Sequence, residues 1–195
     1  MPRRARIEYV SLKSSLVNLP ISIYGPLVEH SVRPQGLAVH LSLVSSSRTT
    51  TANANANNAN EKTEAYVGWT GMTSASSLAR FKSSTTSGTG SEGLETVEID
   101  PQFASALGFG LGDVVEIGLI HDLKPATSVG TEPLTSDDWE ILELHASYVE
   151  QNLLAQVRVA CVGQEVDVWV LGRTRVRLRV GTWRFHVCVV RLCFA

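Results

Sequence analysis

The chain has 195 residues, 44% of them hydrophobic and 18% charged, with a formal net charge of −2. That length holds one large or two small domains, and the apolar share is that of a globular protein. So small a net charge argues neither for nor against nucleic acid; no DNA partner is expected.

The charge is unevenly placed. No Lys or Arg falls between Pro125 and Val157, whereas Glu132, Asp137, Asp138, Glu140, Glu143 and Glu150 do; Arg158, Arg173, Arg175, Arg177 and Arg179 follow. The cysteines, Cys161, Cys188 and Cys193, are odd in number and late in the chain, which is no disulfide framework. A reducing compartment is the simpler reading. The start, MPRRARIEYVSLKSSL, is basic but lacks the apolar core of a secretory signal. No run reaches the ~18 apolar residues of a membrane span. A soluble, cytosolic chain is expected.

In chain order, Arg6 to Leu12 alternates like a first strand. Pro20, Gly25 and Pro26 punctuate Ile21 to His30, which is expected to be irregular. GLAVHLSLV, Gly36 to Val44, reads as a half-buried strand. The Ser/Thr/Ala/Asn tract that follows offers no large apolar side chain to offset its ordering entropy, so 45–62 is read as a flexible insertion. EAYVGWT resumes as a strand, and 82–93 is a second flexible insertion. The latter contains a GxGxxG match at Gly88, Gly90 and Gly93. Ser and Thr precede it and a strand follows, so the strand–turn–helix frame of a dinucleotide site is missing.

Leu94 to Asp100 is a strand, and Pro101 suits the first position of a short helix, PQFASAL, ended by Gly108. GFGLGD then turns into the strand Val114 to Ile120. This order of strand, short helix, glycine turn and strand is that of small double-psi β-barrels, in which glycines occupy the positive-φ positions. His121 to Glu132 is polar, and residues 125–132 are assigned as a linker. The first lobe is therefore 1–124 and the second begins at Pro133.

The second lobe opens with a helix. Thr135 or Ser136 caps it, Asp137 and Asp138 meet its dipole, and Trp139, Leu142, Ala146, Val149 and Leu153 form an apolar stripe. Three alternating strands follow as a β-meander. Val157, Val159 and Cys161, then Val166, Val168 and Val170, then Thr174, Val176, Leu178 and Val180 face the core. The opposite face displays Glu165, Asp167, Trp169, Arg173, Arg175, Arg177 and Arg179. The predicted class is α+β and β-rich: a double-psi β-barrel lobe, then a small α/β lobe of one helix on a meander, residues 133–180.

The arginine stripe is the sharpest candidate site. Four guanidiniums on one strand face cannot all be buried unpaired. Either they bind anions, such as acidic phospholipid, an acidic partner or RNA, or Glu165 and Asp167 pair with them and Trp169 stacks beneath one. His145 lies at a core edge, and His186, Cys188 and Cys193 lack a fourth zinc ligand. No P-loop, GxSxG or HExxH occurs, so no catalytic residue, metal or cofactor is assigned.

TSDDWEILELHASYVEQNLLAQVRVACVGQEVDVWVLGRTRVRLRV resembles the N-terminal domain of the peroxin-1 family of peroxisome-biogenesis AAA+ ATPases. EAYVGWTGMTS, VEIDPQFASALGFGLGDVVEIGLI and SLVNLPISIYGPL are similar to it as well. The resemblance implies a p97/NSF-type domain: a double-psi barrel, a smaller α/β lobe and a groove between them for an adaptor or substrate protein. It implies work with peroxin-6 in recycling import receptors, in the cytosol and peripherally at the peroxisomal membrane. ATP and magnesium belong to ATPase modules that this chain lacks, so the chain itself is expected to be no enzyme. The alternative reading is a free-standing phosphoinositide- or RNA-binding protein using Arg173 to Arg179. The resemblance is seen as far as Val180. Residues 181–195 are read as an atypical tail, in which Gly181-Thr182-Trp183 is encodable by a splice-donor-like GTACGT, and so as translated intron on a truncated gene product. Without a closing strand, Val180 and its neighbours are expected to form an open edge.

Overall fold

The computed structural model describes residues 3–47, 63–84, 93–121, 123, 125–126, 129–181 and 189–192. Strands β1 (Arg3–Tyr9) and β2 (Leu16–Leu19) open it, followed by helix α1 (Ile21–Glu29), β3 (Ala38–Ser45), β4 (Glu64–Thr73) and helix α2 (Ala75–Ser84). Strand β5 (Glu95–Ile99), helix α3 (Pro101–Ala106) and β6 (Val114–Ile120) complete the first lobe. Its six strands close a barrel in the order β1-β5-β2-β4-β3-β6. The β1/β5 and β2/β4 pairs are parallel and the others antiparallel.

The barrel closes because each strand sends alternate apolar side chains inward, Ala5 and Ile7 with Val39 and Leu41, for instance. Helix α3 begins at Asp100, whose carboxylate accepts the Gln102 amide at 3.1 Å, with Pro101 at the first helical position. It sends Phe103 and Ala104 into the barrel core. Gly108 and Gly112 take positive φ, at +85° and +81°, and so shape the turn into β6. Within that turn Asp113 is buried and accepts the Gly110 amide at 2.6 Å and the Ser47 amide at 2.7 Å.

Ile21–Glu29 is helical, against the expected irregularity. Pro26 lies inside the helix and lacks the N–H that would bond the carbonyl of Ser22. The Arg3 guanidinium donates to that carbonyl instead. Helix α2 was not anticipated either; it reaches the front of the second expected insertion. Residues 48–62 and 85–92, and with them Gly88 and Gly90, lie outside the described residues.

The second lobe comprises β7 (Pro125–Ala126), β8 (Thr131–Pro133), helix α4 (Ser136–Gln156), β9 (Val159–Cys161), β10 (Glu165–Val170), β11 (Thr174–Val180) and β12 (Val189–Leu192). The stretch read as a linker thus supplies two strands. The expected meander is replaced by two small sheets, β10-β11-β8 and β7-β12-β9. Only β10 and β11 form a hairpin; β9 pairs with β12 instead. Strand β11 is central, because Val180 pairs with Thr131, so the expected open edge at Val180 is covered by β8. Of the tail, Gly181 and β12 are described; residues 182–188 and 193–195 are outside the described residues.

Helix α4 carries a reciprocal cap. Thr135 accepts the Asp138 amide at 3.2 Å and donates its hydroxyl to the Asp138 carboxylate at 2.6 Å. The buried face runs through Asp138, Ile141, Leu142 and Val149, not through Trp139 and Ala146, and Trp139 is 57% exposed. The other Asp138 oxygen accepts the Arg177 amide of β11 at 3.0 Å, which turns Asp138 to the sheet and Trp139 to solvent. At His145, a half-buried residue, the backbone leaves helical values (φ −125°, ψ 20°).

Candidate functional site: the lobe seam, its cleft and the arginine strand

The face of β10 opposite the lobe core was expected to meet solvent. It meets the barrel: Asp167 and Trp169 are 2% and 7% exposed. Ser15 of the barrel donates its hydroxyl to the Asp167 carbonyl at 3.0 Å and accepts the Asp167 amide at 2.8 Å. The Ser15 amide donates to the Gln156 carbonyl at 2.9 Å, and the Gln156 side chain holds both main-chain groups of Trp169. Lys13, at a positive φ of 48°, donates its ammonium to the Gly172 carbonyl at 2.8 Å.

A second set of contacts joins β4 to the two ends of β9. The Arg158 guanidinium donates to the Trp69 carbonyl at 2.5 Å, and Gln164 donates to the Tyr66 carbonyl at 3.1 Å. Burial lowers the Arg158 guanidinium from its ordinary value. Gly68 makes this approach possible: a Cβ there would sit 2.7 Å from Leu16 Cδ2 and 2.9 Å from Arg158 Cβ.

Beside these contacts a cleft of about 410 Å³ opens between the lobes. Tyr66 and Leu107 line it from the barrel, and Val162, Gln164 and Glu165 from the second lobe. Tyr66 stacks on His40 at 4.8 Å, and His40 Nε2 lies 3.3 Å from Glu64. Main-chain edges, an aromatic ring and a carboxylate thus border one concave surface.

Asp167 is the most perturbed acid described. Burial, reinforced by Asp100, pushes its carboxyl up to about 6, against the pull of Arg175 and Arg177. Arg175 Nη1 stands 3.5 Å from one of its oxygens, which is buried and accepts no hydrogen bond.

The stripe itself is largely paired. Arg175 faces Asp167, Arg177 Nε lies 3.5 Å from Asp138, and Arg179 lies 3.1 Å from Glu165. Arg173 is exposed and has no carboxylate partner among the described residues. Exposed guanidinium is thus concentrated at Arg173 and Arg179, while Trp169 is covered by the seam. Alternation alone identified the face but not what covers it. Ser15, Gln156 and Gly68 carried no signal in the sequence, because a hydroxyl or a missing Cβ matters only once two distant segments meet.

Among the described residues no group of three or more His, Cys, Asp or Glu is placed to hold a metal, and no helix is long and apolar enough to cross a membrane. His186, Cys188 and Cys193 lie outside the described residues.

Barrel, seam and helix-plus-sheet lobe together define a two-lobed α+β module. Residues 127–192 match the family described as Peroxisome biogenesis factor 1, N-terminal. The chain is 33% identical over 180 residues to the peroxisomal ATPase PEX1 of Arthrobotrys oligospora, covering 90% of this chain and 15% of that protein. It is 35% identical over 122 residues to the same-named protein of Dictyostelium discoideum, covering 62% of this chain and 9% of that protein. Against the human protein the figure is 36% over 89 residues, 46% of this chain and 7% of that protein. The chain therefore spans less than a sixth of the length of these relatives. The matches are consistent with a fragment of the N-terminal, non-catalytic region of peroxisome biogenesis factor 1. The family match extends through residue 192, past Val180.

Proposed function

We propose that this chain is the adaptor- or substrate-binding module of a peroxisomal AAA+ ATPase, with the inter-lobe cleft as its docking site. The cleft itself carries the reading. It is concave and bordered by both lobes, which buried hydrogen bonds between Ser15 and Asp167 join. The barrel is of double-psi type, a reading supported by its two parallel strand pairs. In the whole protein, ATPase modules outside this span bind ATP and magnesium and act with peroxin-6 to recycle import receptors. The module then faces the cytosol at the peroxisomal membrane. The names of the similar proteins support the association with peroxisomes.

A photo-crosslinker at Val162, exposed within the cleft, tests the docking site in the full-length protein. An adduct with a peroxisomal import adaptor that is absent when the crosslinker sits at Leu171 supports it. Equal labelling from both positions overturns it.

A second reading is favoured by one observation, the exposed Arg173, without a carboxylate partner among the described residues, beside the half-exposed Arg179. In that reading the strand edge binds phosphoinositide head groups or RNA, with Arg175 and Arg177 contributing and Trp169 supporting them from beneath. Liposome flotation with Arg173, Arg175, Arg177 and Arg179 changed to Glu tests it; unchanged lipid binding removes it.

A further inference from the structure

Away from the seam, the mouth of the barrel where β1 begins and β6 ends holds a second concavity, of about 340 Å³. No described residue of the second lobe lines it. Its floor is apolar: Ile23, Leu27 and Val32 on one side, Ile117 and Leu119 on the other, with Pro26 at the edge. Its rim carries the Arg3 guanidinium and the imidazoles of His30 and His121. Among the described residues that line it there is no carboxylate.

The construction is specific. Arg3 has the same strand parity as the inward-facing Ala5 and Ile7, and His121 the same parity as Ile117 and Leu119. Two positions that would continue the core inward therefore carry a guanidinium and an imidazole. The Arg3 guanidinium is held at the rim by the Ser22 carbonyl that Pro26 leaves free, so its remaining donors are oriented in advance. Helix α1 ends with the His30 amide on the Pro26 carbonyl at 3.0 Å. Ser31 then takes φ 52°, and the Val32 amide returns to the Leu27 carbonyl at 2.8 Å. That reversal, in a backbone region few side chains favour, folds Val32 back as a wall of the pocket.

The volume lies at the lower end of small-ligand sites, roughly 300–1,000 Å³, and accommodates one or two side chains. An apolar floor under the Arg3 guanidinium, with no carboxylate among the described lining residues, selects an occupant that is apolar at its tip and anionic beside it. We propose that the barrel mouth is a second docking site, taking a short acidic–apolar peptide segment of a protein partner: an aliphatic or aromatic side chain enters between Leu27 and Leu119, and a flanking carboxylate pairs with Arg3.

The test uses the full 195-residue chain, isotope-labelled, and two capped hexapeptides, DELFDE and KKLFKK. The acidic peptide is expected to shift the amide resonances of Leu27, Val32 and Leu119, and the basic one is not. Arg3→Gln removes the charge at little cost in bulk and is expected to weaken binding at least tenfold, as is Leu119→Asp. His121→Glu, at an exposed position, is expected to do the same and guards against a folding artefact at Arg3. Tyr66→Ala, in the inter-lobe cleft, is expected to leave binding unchanged. Equal binding of the two peptides, no binding at millimolar concentration, or shifts confined to residues 161–165 would overturn the proposal. Octanoate matching the acidic peptide in affinity would overturn it too, in favour of a small amphiphile.

Discussion

Ser15 and Asp167 exchange two hydrogen bonds through a single hydroxyl, which donates to the carbonyl at 3.0 Å and accepts from the amide at 2.8 Å. A barrel side chain thus stands in for the strand neighbour that β10 lacks on that side. Ser15→Ala leaves both main-chain groups buried and unpaired. It is expected to cost about 1–3 kcal/mol, and to speed hydrogen exchange at residues 166–168 ahead of the barrel core. Exchange that accelerates uniformly across both lobes would contradict this local role.

The raised Asp167 carboxyl makes stability depend on pH in an unusual direction. Burial first, then Asp100, holds it at about 6 against an ordinary 3.8, so the folded chain binds this proton more tightly than the unfolded one. Its contribution is fully present below about pH 4 and is lost as pH rises through about 6. The size is on the order of 1–3 kcal/mol. Asp167→Asn is expected to flatten the melting temperature between about pH 4.5 and 7. An unchanged slope in that variant would assign the dependence elsewhere.

Asp113 titrates in a separate window. Burial alone would raise its carboxyl, yet the amides of Ser47 and Gly110 and the hydroxyls of Ser47 and Ser46 hold it below 3.8. Its stabilisation is present above that value and disappears as pH falls through the lower folded-state value. Asp113→Asn is therefore expected to destabilise the chain at neutral pH by about 1–3 kcal/mol, the opposite sign to Asp167→Asn. Denaturant melts of the two variants at pH 7 provide the check.

Gly68 is expected to tolerate no side chain. The added methyl of Gly68→Ala would meet Leu16 Cδ2 at 2.7 Å and the Arg158 Cβ at 2.9 Å, and the Cβ, fixed to the backbone, cannot swing away. Overpacking of this kind costs about 1–3 kcal/mol. The loss should be partly relieved in a double variant with Leu16→Ala, and a strictly additive double variant would count against the contact.

The observed phase of helix α4 differs from the stripe its sequence suggests, and two truncations distinguish them. Trp139 is 57% exposed, so Trp139→Ala is expected to change stability by no more than about 0.5 kcal/mol. Val149 is 6% exposed, and Val149→Ala is expected to cost about 1–3 kcal/mol. Urea melts that rank the two the other way would restore Trp139 to the core.

The barrel strands were legible because their alternation continues into a common core; the match at Val114–Ile120 is of this kind. The capped turn at Asp100 and the glycine turn before β6 were legible because their residue types follow from backbone geometry. Helix α1 was not, because Pro26 reads as a breaker, and the donor that meets the carbonyl it leaves free, Arg3, lies far off in sequence. The second lobe was misread for a related reason. Period-two patterning says which way side chains point, not which strand lies alongside, and β11 takes β8 as neighbour while β9 takes β12. The arginine face was likewise visible as a pattern, but its occupancy by Asp138, Asp167 and Glu165 depends on how α4 and β10 are set.

Strand pairing also orders events during synthesis. All six barrel strands are in hand once Ile120 has left the ribosome. The second lobe waits longer, since β8 finds its partner only with Val180, and β7 only with Leu192. Ser15 and Gly68 are therefore in place on a closed barrel before their partners Asp167 and Arg158 join fixed strands. The nascent barrel offers the later lobe a finished surface to fold against.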